Sequence, residues 1–453
     1  MSKLLLTFYG DDFTGSTDAL EQLTLAGIRT TLFIQPPTPA QLKKFPGLQA
    51  IGIAGKTRSL APDALKRELK PALLAFKKLG ARHVHYKVCS TFDSSPKIGS
   101  IGCALDVAAN IFPAKFIPLL VAAPALGRYT VFGQHFARYG IGSTGAIHRL
   151  DCHPSISKHP ITPMTEADLR LHLSQQTNKK IALFDILKVA LPENECHSAL
   201  QKTLAEKPDV VLFDALTTEQ LARIGGVLEK YAAAKRPLFS VGSSGIETAL
   251  AKFWSVGDDV RSLKLKLGKM RLVPSSPTKQ ILVGSGSCSP VTSGQIAWVL
   301  KHGFVEVALN SEKLAAKNSR TEIQRATNTV IKFLQSGRSV IVHTTKSGSD
   351  KHIVAKLKNN SAKILGTALG KVLRRALAQA KVQRLVIAGG DTSSFAARAL
   401  GIEALEMIAS LTPGAPLCRA HAPNSPVDKM EVVFKGGQVG AENYFQTVLK
   451  GNS

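Results

Sequence analysis

Short apolar runs alternate with longer amphipathic stretches over most of the chain, and this pattern predicts an α/β protein in which strands feed helices. The apolar runs predict strands at Leu4–Tyr9, Thr30–Ile34, Ala50–Ala54, His83–Lys87, Phe116–Ala122, Ile181–Phe184, Val210–Phe213 and Leu238–Val241. Helical spacing runs through Ser16–Ala26 and Pro62–Leu79. A second series of strands is expected at Gln280–Val283, Ser339–Val342, Arg384–Ala388 and Glu431–Phe434. Between the two series, within residues 266–279, Leu272-Val273-Pro274-Ser275-Ser276-Pro277-Thr278 breaks the alternation with two prolines and small polar residues, as a linker does. The pattern therefore predicts a larger domain over residues 1–270 and a smaller one over residues 279–453. A proline-rich stretch from Asp151 to Met164 is expected to run over the surface or across a cleft.

Length supports the division, since 453 residues exceed what one ordinary core organises. With 44% hydrophobic and 20% charged residues the chain is globular. Its longest apolar runs have strand length, far below the ~18 residues a membrane helix needs. The apolar patch at Leu4-Leu5-Leu6 is too short for a signal peptide and is soon followed by Asp11 and Asp12, so a cytoplasmic location is expected. The six cysteines are scattered without a C-x-x-C pair, which suggests neither a zinc site nor a disulfide framework. Lys and Arg outnumber Asp and Glu by 58 to 32, a net charge of +26. Such a field concentrates anionic ligands. Aromatic residues are only 6% and no groove-reading or stacking motif accompanies the charge, so an acidic small molecule is expected as partner rather than nucleic acid. A homo-oligomer is compatible with this composition.

Several segments share one design: a strand, a turn rich in Gly, Ser, Thr and Asp, then a helix. That design brings backbone N–H groups and a helix N-terminus to one place, where an anion can sit. In Tyr9-Gly10-Asp11-Asp12-Phe13-Thr14-Gly15, two adjacent carboxylates end a strand. They suit proton transfer from a substrate hydroxyl and, with equal weight, capping of the following helix. Gly55-Lys56-Thr57-Arg58-Ser59 offers a guanidinium fork. Lys87-Val88-Cys89-Ser90-Thr91-Phe92-Asp93-Ser94 offers an ammonium, hydroxyls and a carboxylate to a polyhydroxy acid. In the second half, Gly284-Ser285-Gly286-Ser287-Cys288-Ser289, Gly389-Gly390-Asp391-Thr392-Ser393 and Lys435-Gly436-Gly437 form hydroxyl-rich or glycine-rich turns suited to nucleotide phosphates, although no P-loop motif is present. Gly242-Ser243-Ser244-Gly245 is expected to be a tight structural turn. The histidines His148, His153 and His159 match no metal-ligand spacing and are expected to be satisfied or substrate-facing.

Together with His159-Pro160-Ile161-Thr162-Pro163-Met164, these motifs resemble, in the same order along nearly the whole chain, the four-carbon acid sugar kinase family. Its members phosphorylate acids such as threonate, erythronate and 3-oxo-tetronate, and Cys89-Ser90-Thr91-Phe92-Asp93 is most similar to the 3-oxo-tetronate kinase branch. Ser100 stands where that pattern has a Gly-Asn turn. The resemblance implies an N-terminal substrate-binding domain, a C-terminal nucleotide-binding domain, and ATP with Mg2+ in the cleft between them. It also implies Asp12 and Asp11 as catalytic residues, Arg58, Lys87, Ser90 and Asp93 as substrate-binding residues, and Ser287, Gly389, Gly390, Asp391, Thr392 and Gly437 as nucleotide-binding residues. No motif shows metal ligands. Two other readings stay open: an acid-sugar dehydrogenase with a nucleotide cofactor, weakened by the lack of an early G-x-G-x-x-G, and a non-catalytic anion-binding protein.

Overall fold

The computed structural model describes residues 4–141, 144–159, 161–256, 276–315, 319–344 and 361–451, with the backbone alone at Asp391. The centre of the expected linker, Leu272 through Ser275, and the Lys351–Lys358 part of the basic cluster lie outside the described residues.

The first half contributes β1 (Leu6–Gly10), β2 (Thr30–Phe33), β3 (Ala50–Ala54), β4 (His83–Lys87), β5 (Ile117–Leu120), β6 (Arg128–Val131), β7 (Gln134–Arg138), β8 (Ile147–Arg149), β9 (Ile181–Phe184), β10 (Val210–Phe213) and β11 (Leu238–Gly242). The second half contributes β12 (Ile281–Ser285), β13 (Val305–Ala308), β14 (Val340–His343), β15 (Arg384–Ala388), β16 (Ala404–Thr412), β17 (Ala415–His421) and β18 (Glu431–Lys435). Among the described residues, fifteen of these strands form one sheet in the order 13-14-12-15-18-17-16-2-3-1-4-11-5-10-9. Strands β6, β7 and β8 form a separate antiparallel sheet.

Apart from β6–β8 in the first half and β16 and β17 in the second, the strands of each half are parallel. The central ones are buried at every residue and read as near-continuous apolar runs. The halves meet through an antiparallel insertion: β16 pairs with β17 and, across the junction, with β2, Leu405 lying opposite Leu32. One apolar core runs through the junction, where the Phe13 and Phe434 rings approach to 4.3 Å between centroids. Arg398 Nη2 donates to the Ala54 carbonyl at 3.0 Å and Ser394 Oγ to the Gly55 carbonyl at 3.0 Å. The architecture is the expected pair of α/β units, but joined edge to edge in a single sheet.

Gly242 and Gly245 belong to a tight strand-to-helix turn. A Cβ on either would come within 2.0 Å of a carbonyl oxygen of the neighbouring strand segment, Leu120 or Ala122. No described helix is long and apolar enough to cross a membrane.

Candidate active site

The central strands of the first half end in register, with Gly10 opposite both Ala54 and Lys87, and Lys87 opposite Gly242. Their turns therefore emerge side by side at the carboxyl edge, where open parallel sheets place ligands. Asp12 caps the helix Phe13–Leu25: its Oδ1 accepts from Gly15 N at 2.7 Å. Its Oδ2 accepts from Thr14 Oγ1 at 2.8 Å and lies 2.9 Å from Arg58 Nη2. Asp11 is fixed through its backbone, which donates to Lys87 O at 2.8 Å and accepts from Arg58 N at 3.0 Å. Its Oδ1 is buried without a partner. Burial, and then the Asp12 carboxylate, push the Asp11 pKa up to about 8. Capping thus falls to Asp12, and the unengaged oxygen of the pair belongs to Asp11.

Lys87 is fully buried, with Nζ 3.4 Å from Asp18 Oδ2 and donating to Val88 O at 3.0 Å. Burial works against its charge, but Asp18 and then Glu247 hold its pKa above the ordinary lysine value. It neutralises the acidic groups under the first helix. The following loop is held by its own side chains: Thr91 Oγ1 donates to Asp93 Oδ1 at 2.9 Å and Ser94 Oγ to Phe92 O at 3.0 Å. Buried Phe92 adopts a left-handed backbone, φ 57°, which costs a non-glycine residue ~1–3 kcal/mol. The loop is also clamped from the small sheet, since His135 Nε2 donates to Ser90 O at 2.9 Å while Nδ1 meets Thr130 Oγ1 at 2.8 Å. Burial lowers the His135 pKa to about 4, so it acts as a neutral strut. The Cys89 thiol is pushed up to about 12 by burial and by Asp93, which leaves it protonated and unsuited to nucleophilic work.

In the second half, Ser285 lies opposite Ala388, and Ala388 opposite Lys435. Three turns therefore converge. Gly389 has φ 119° and its N–H donates to Lys435 O at 2.9 Å. It opens the helix Gly390–Leu400, which has no side-chain cap, so its first N–H groups remain available to an anion. Ser287 Oγ accepts from Ser289 N at 3.2 Å, and Ser289 Oγ is buried without a partner. A Cβ on Gly437 would lie 3.0 Å from Ser287 Oγ, and Thr292 Oγ1 donates to the Gly437 carbonyl at 3.1 Å. Thr392 Oγ1 donates to Gly286 O at 3.3 Å. Lys435 is buried with Nζ donating to Thr292 Oγ1 at 3.0 Å, and burial alone lowers its pKa to about 7.

The two sets meet at Gly390. A Cβ there would lie 2.3 Å from Arg58 Nη2 and 2.6 Å from Asp12 Oδ2. The structure therefore brings Asp11, Asp12 and Arg58 into one place with the Gly389–Thr392 turn. Ser287 lies beside that turn, its N 3.3 Å from a Cβ placed on Gly389 and its Oγ 3.0 Å from one on Gly437, and Asp93 lies within electrostatic reach of Asp11. Lys87 lies beneath that place. Sequence reasoning did not single out Arg128, His135 or Thr292; it placed Lys435 in a turn suited to phosphate but not its burial against Thr292. Arg128 lies in a four-residue strand of a small hairpin, which leaves almost no periodic signal, and its burial follows only from the tertiary fold. A groove lined by Lys66, Lys70, Lys77, Asp106 and Gln176 shares none of these residues and contains no orphaned polar atom.

Residues 6–250 match the sugar-binding N-terminal domain family and residues 282–445 the nucleotide-binding C-terminal domain family. A 3-oxo-isoapionate kinase from Paraburkholderia graminis is 40% identical, over 99% of this chain and 94% of that protein. A 3-oxo-tetronate kinase from Pseudomonas savastanoi pv. phaseolicola is 28% identical, over 98% of this chain and 97% of that protein. A solved Salmonella typhimurium LT2 structure superposes with a TM-score of 0.75 at 24% identity over 99% of both chains, a likeness of fold alone. The two domain matches in this order, together with the full-length 40% relative, place the chain in the four-carbon acid sugar kinase family.

Proposed function

We propose that this protein transfers the terminal phosphoryl group of ATP to a terminal hydroxyl of a four-carbon acid sugar or a close 3-oxo acid. The observation that carries the reading is the approach of the Gly390 turn to the Asp12–Arg58 pair, an anion cradle from one domain against acid and guanidinium groups from the other. Phosphoryl transfer depends on positioning and charge neutralisation more than on covalent help. Arg58, held by Asp12, is placed to neutralise the transferring group. Asp11, with an unengaged oxygen and a pKa near 8, is the better proton acceptor for the hydroxyl, and Asp12 orients Arg58 and the helix. Asp93 and Ser90 line the acceptor side, while the Ser287, Gly389–Thr392 and Gly437 turns cradle the nucleotide.

Magnesium fits this site through one carboxylate, since it keeps most of its waters and takes phosphate oxygens. Among the described residues no cluster of three or more acidic, His or Cys side chains is built for a metal, so magnesium would arrive on the ATP phosphates. At most one carboxylate of the Asp11–Asp12 pair reaches it through its waters, and the orphaned Asp11 Oδ1 stays with the hydroxyl proton. When bound, the ion supplies charge neutralisation on the phosphates. The 40% relative favours a 3-oxo acid, 3-oxo-isoapionate or 3-oxo-tetronate, over threonate and erythronate. ADP release measured over these four acids, with phosphorus NMR of the product, tests the reading. Acid-dependent ADP release with one phosphate ester formed per ADP is expected. ATP hydrolysis indifferent to every acid would contradict it.

A further inference from the structure

Arg128, on β6, is buried and donates through Nη1 to three carbonyls, those of Leu126 and Gly127 at 3.2 Å and Arg138 at 2.9 Å. No carboxylate among the described residues pairs with it, and its Nε is buried without a partner. Burial lowers its pKa to about 10, which still leaves a charged guanidinium enclosed at neutral pH with no carboxylate in direct contact, Asp93 acting on it only from a distance. His153 is also fully buried. Its Nδ1 accepts from Ser155 N and Ile156 N, both at 3.2 Å, so the proton of the neutral ring is assigned to Nε2. That nitrogen makes no well-formed hydrogen bond, with the Arg138 carbonyl the backbone acceptor in reach of the ring. Burial and then Arg128 lower the His153 pKa to about 4, so the ring is a neutral donor.

These two orphaned donors belong to one polar region. Asp93 lies within electrostatic reach of Arg128, His153, Cys89 and Asp11. Cys89 in turn lies within reach of Arg58 and Asp12. His135, on the strand paired with β6, donates to Ser90 O, so the small sheet that carries Arg128 packs against the Cys89–Asp93 loop. Arg58 and Lys87 already have carboxylate partners, so neither is the open cation of the sugar domain.

We propose that Arg128 and His153 form the subsite that recognises the carboxylate of the acid substrate, with its reacting hydroxyl at Asp11. The subsite rests on the kinase reading and adds to it the end of the substrate that is gripped and the groups that grip it. An incoming carboxylate supplies the direct ion-pair partner that the guanidinium lacks and accepts from Arg128 Nε and His153 Nε2. A second link joins the subsite to the nucleotide domain: Gln438 Nε2 donates to Ser155 Oγ at 2.8 Å, and Ser155 N to His153 Nδ1.

The test is steady-state kinetics of Arg128→Gln and His153→Asn, with KM measured separately for the acid and for ATP, and with the acid compared with its neutral primary amide. His153→Asn keeps an acceptor where Nδ1 stands and removes only the Nε2 donor. Expected are a rise in acid KM on the order of 10²-fold for Arg128→Gln and a smaller rise for His153→Asn, both with ATP KM unchanged. The preference of the wild type for acid over amide should shrink in both. Unchanged acid KM, or acid and ATP KM rising together, would overturn the subsite. If Arg128→Gln does not fold, the acid-to-amide ratio of His153→Asn decides alone, and an unchanged ratio overturns the proposal. Failure of the wild type to turn over any acid sinks the kinase reading instead, a result distinct from either.

Discussion

A Cβ placed on Gly390 would lie 2.6 Å from Asp12 Oδ2, although 378 positions separate the two residues and they belong to different domains. The space at residue 390 is thus shared by the turn proposed to receive phosphate and the Asp12–Arg58 pair proposed to neutralise it. Gly390→Val should drive Arg58 and Asp12 apart. Overpacking of this kind costs about 1–3 kcal/mol, so nucleotide affinity should fall roughly 10- to 100-fold. Calorimetry with ATP or ADP measures this, and unaltered affinity would place the phosphates elsewhere.

Asp12→Asn separates capping from charge, because Asn caps helices about as well as Asp. The melting temperature should change little, while loss of the ion pair frees Arg58 and lowers kcat by at least tenfold. A large fall in melting temperature with kcat preserved would make the residue purely structural.

Asp11 gives a pH dependence of stability. Its carboxyl has a folded pKa near 8 against an ordinary value of 3.8, so between these limits the folded state binds more protons than the unfolded state. Stability should therefore fall as pH rises from about 4 to about 8. Glu21, pushed up to about 8 mainly by burial, adds to the same slope. Asp11→Asn should flatten the decline in melting temperature between pH 6 and 8.5 without removing it, and an identical slope in wild type and variant would refute the assignment.

Thr292 connects Lys435 Nζ to the Gly437 carbonyl. Thr292→Val keeps the shape and removes both bonds, which costs roughly 1–3 kcal/mol where a buried donor is left unmet. ATP KM should rise about tenfold while the KM for the acid stays put. Equal increases in both constants would show general loosening rather than a local effect on the phosphate turn.

Much of this arrangement is legible in the sequence. Ala50–Ala54, His83–Lys87, Ile181–Phe184 and Arg384–Ala388 are strands with the expected bounds. Ala50–Ala54 and most of Arg384–Ala388 are apolar because they are buried on both faces, whereas Ile181–Phe184 is apolar at the sheet edge. Strands β16 and β17 were not legible: they are an antiparallel insertion with mixed burial, and nothing local signals that β16 pairs with β2 across the domains. At the site, the glycine-rich and acidic turns announced themselves by composition. Division of labour within the acidic pair did not, since it depends on which oxygen the folded chain leaves without a partner. Lys87 looked like an open cation at a strand end, and only the fold shows Asp18 beside it. Arg128 gave no signal, because a lone arginine in a short hairpin strand is ordinarily exposed, and its burial is imposed by the packing around it.

The most direct test of the transfer centre is kcat of Asp11→Asn at saturating acid and ATP, recorded with its melting temperature at pH 8. The variant is isosteric, and Asp11 caps no helix. If Asp11 accepts the hydroxyl proton, kcat should fall about 10²- to 10⁴-fold while the melting temperature holds or rises. A variant that turns over at the wild-type rate would contradict the account.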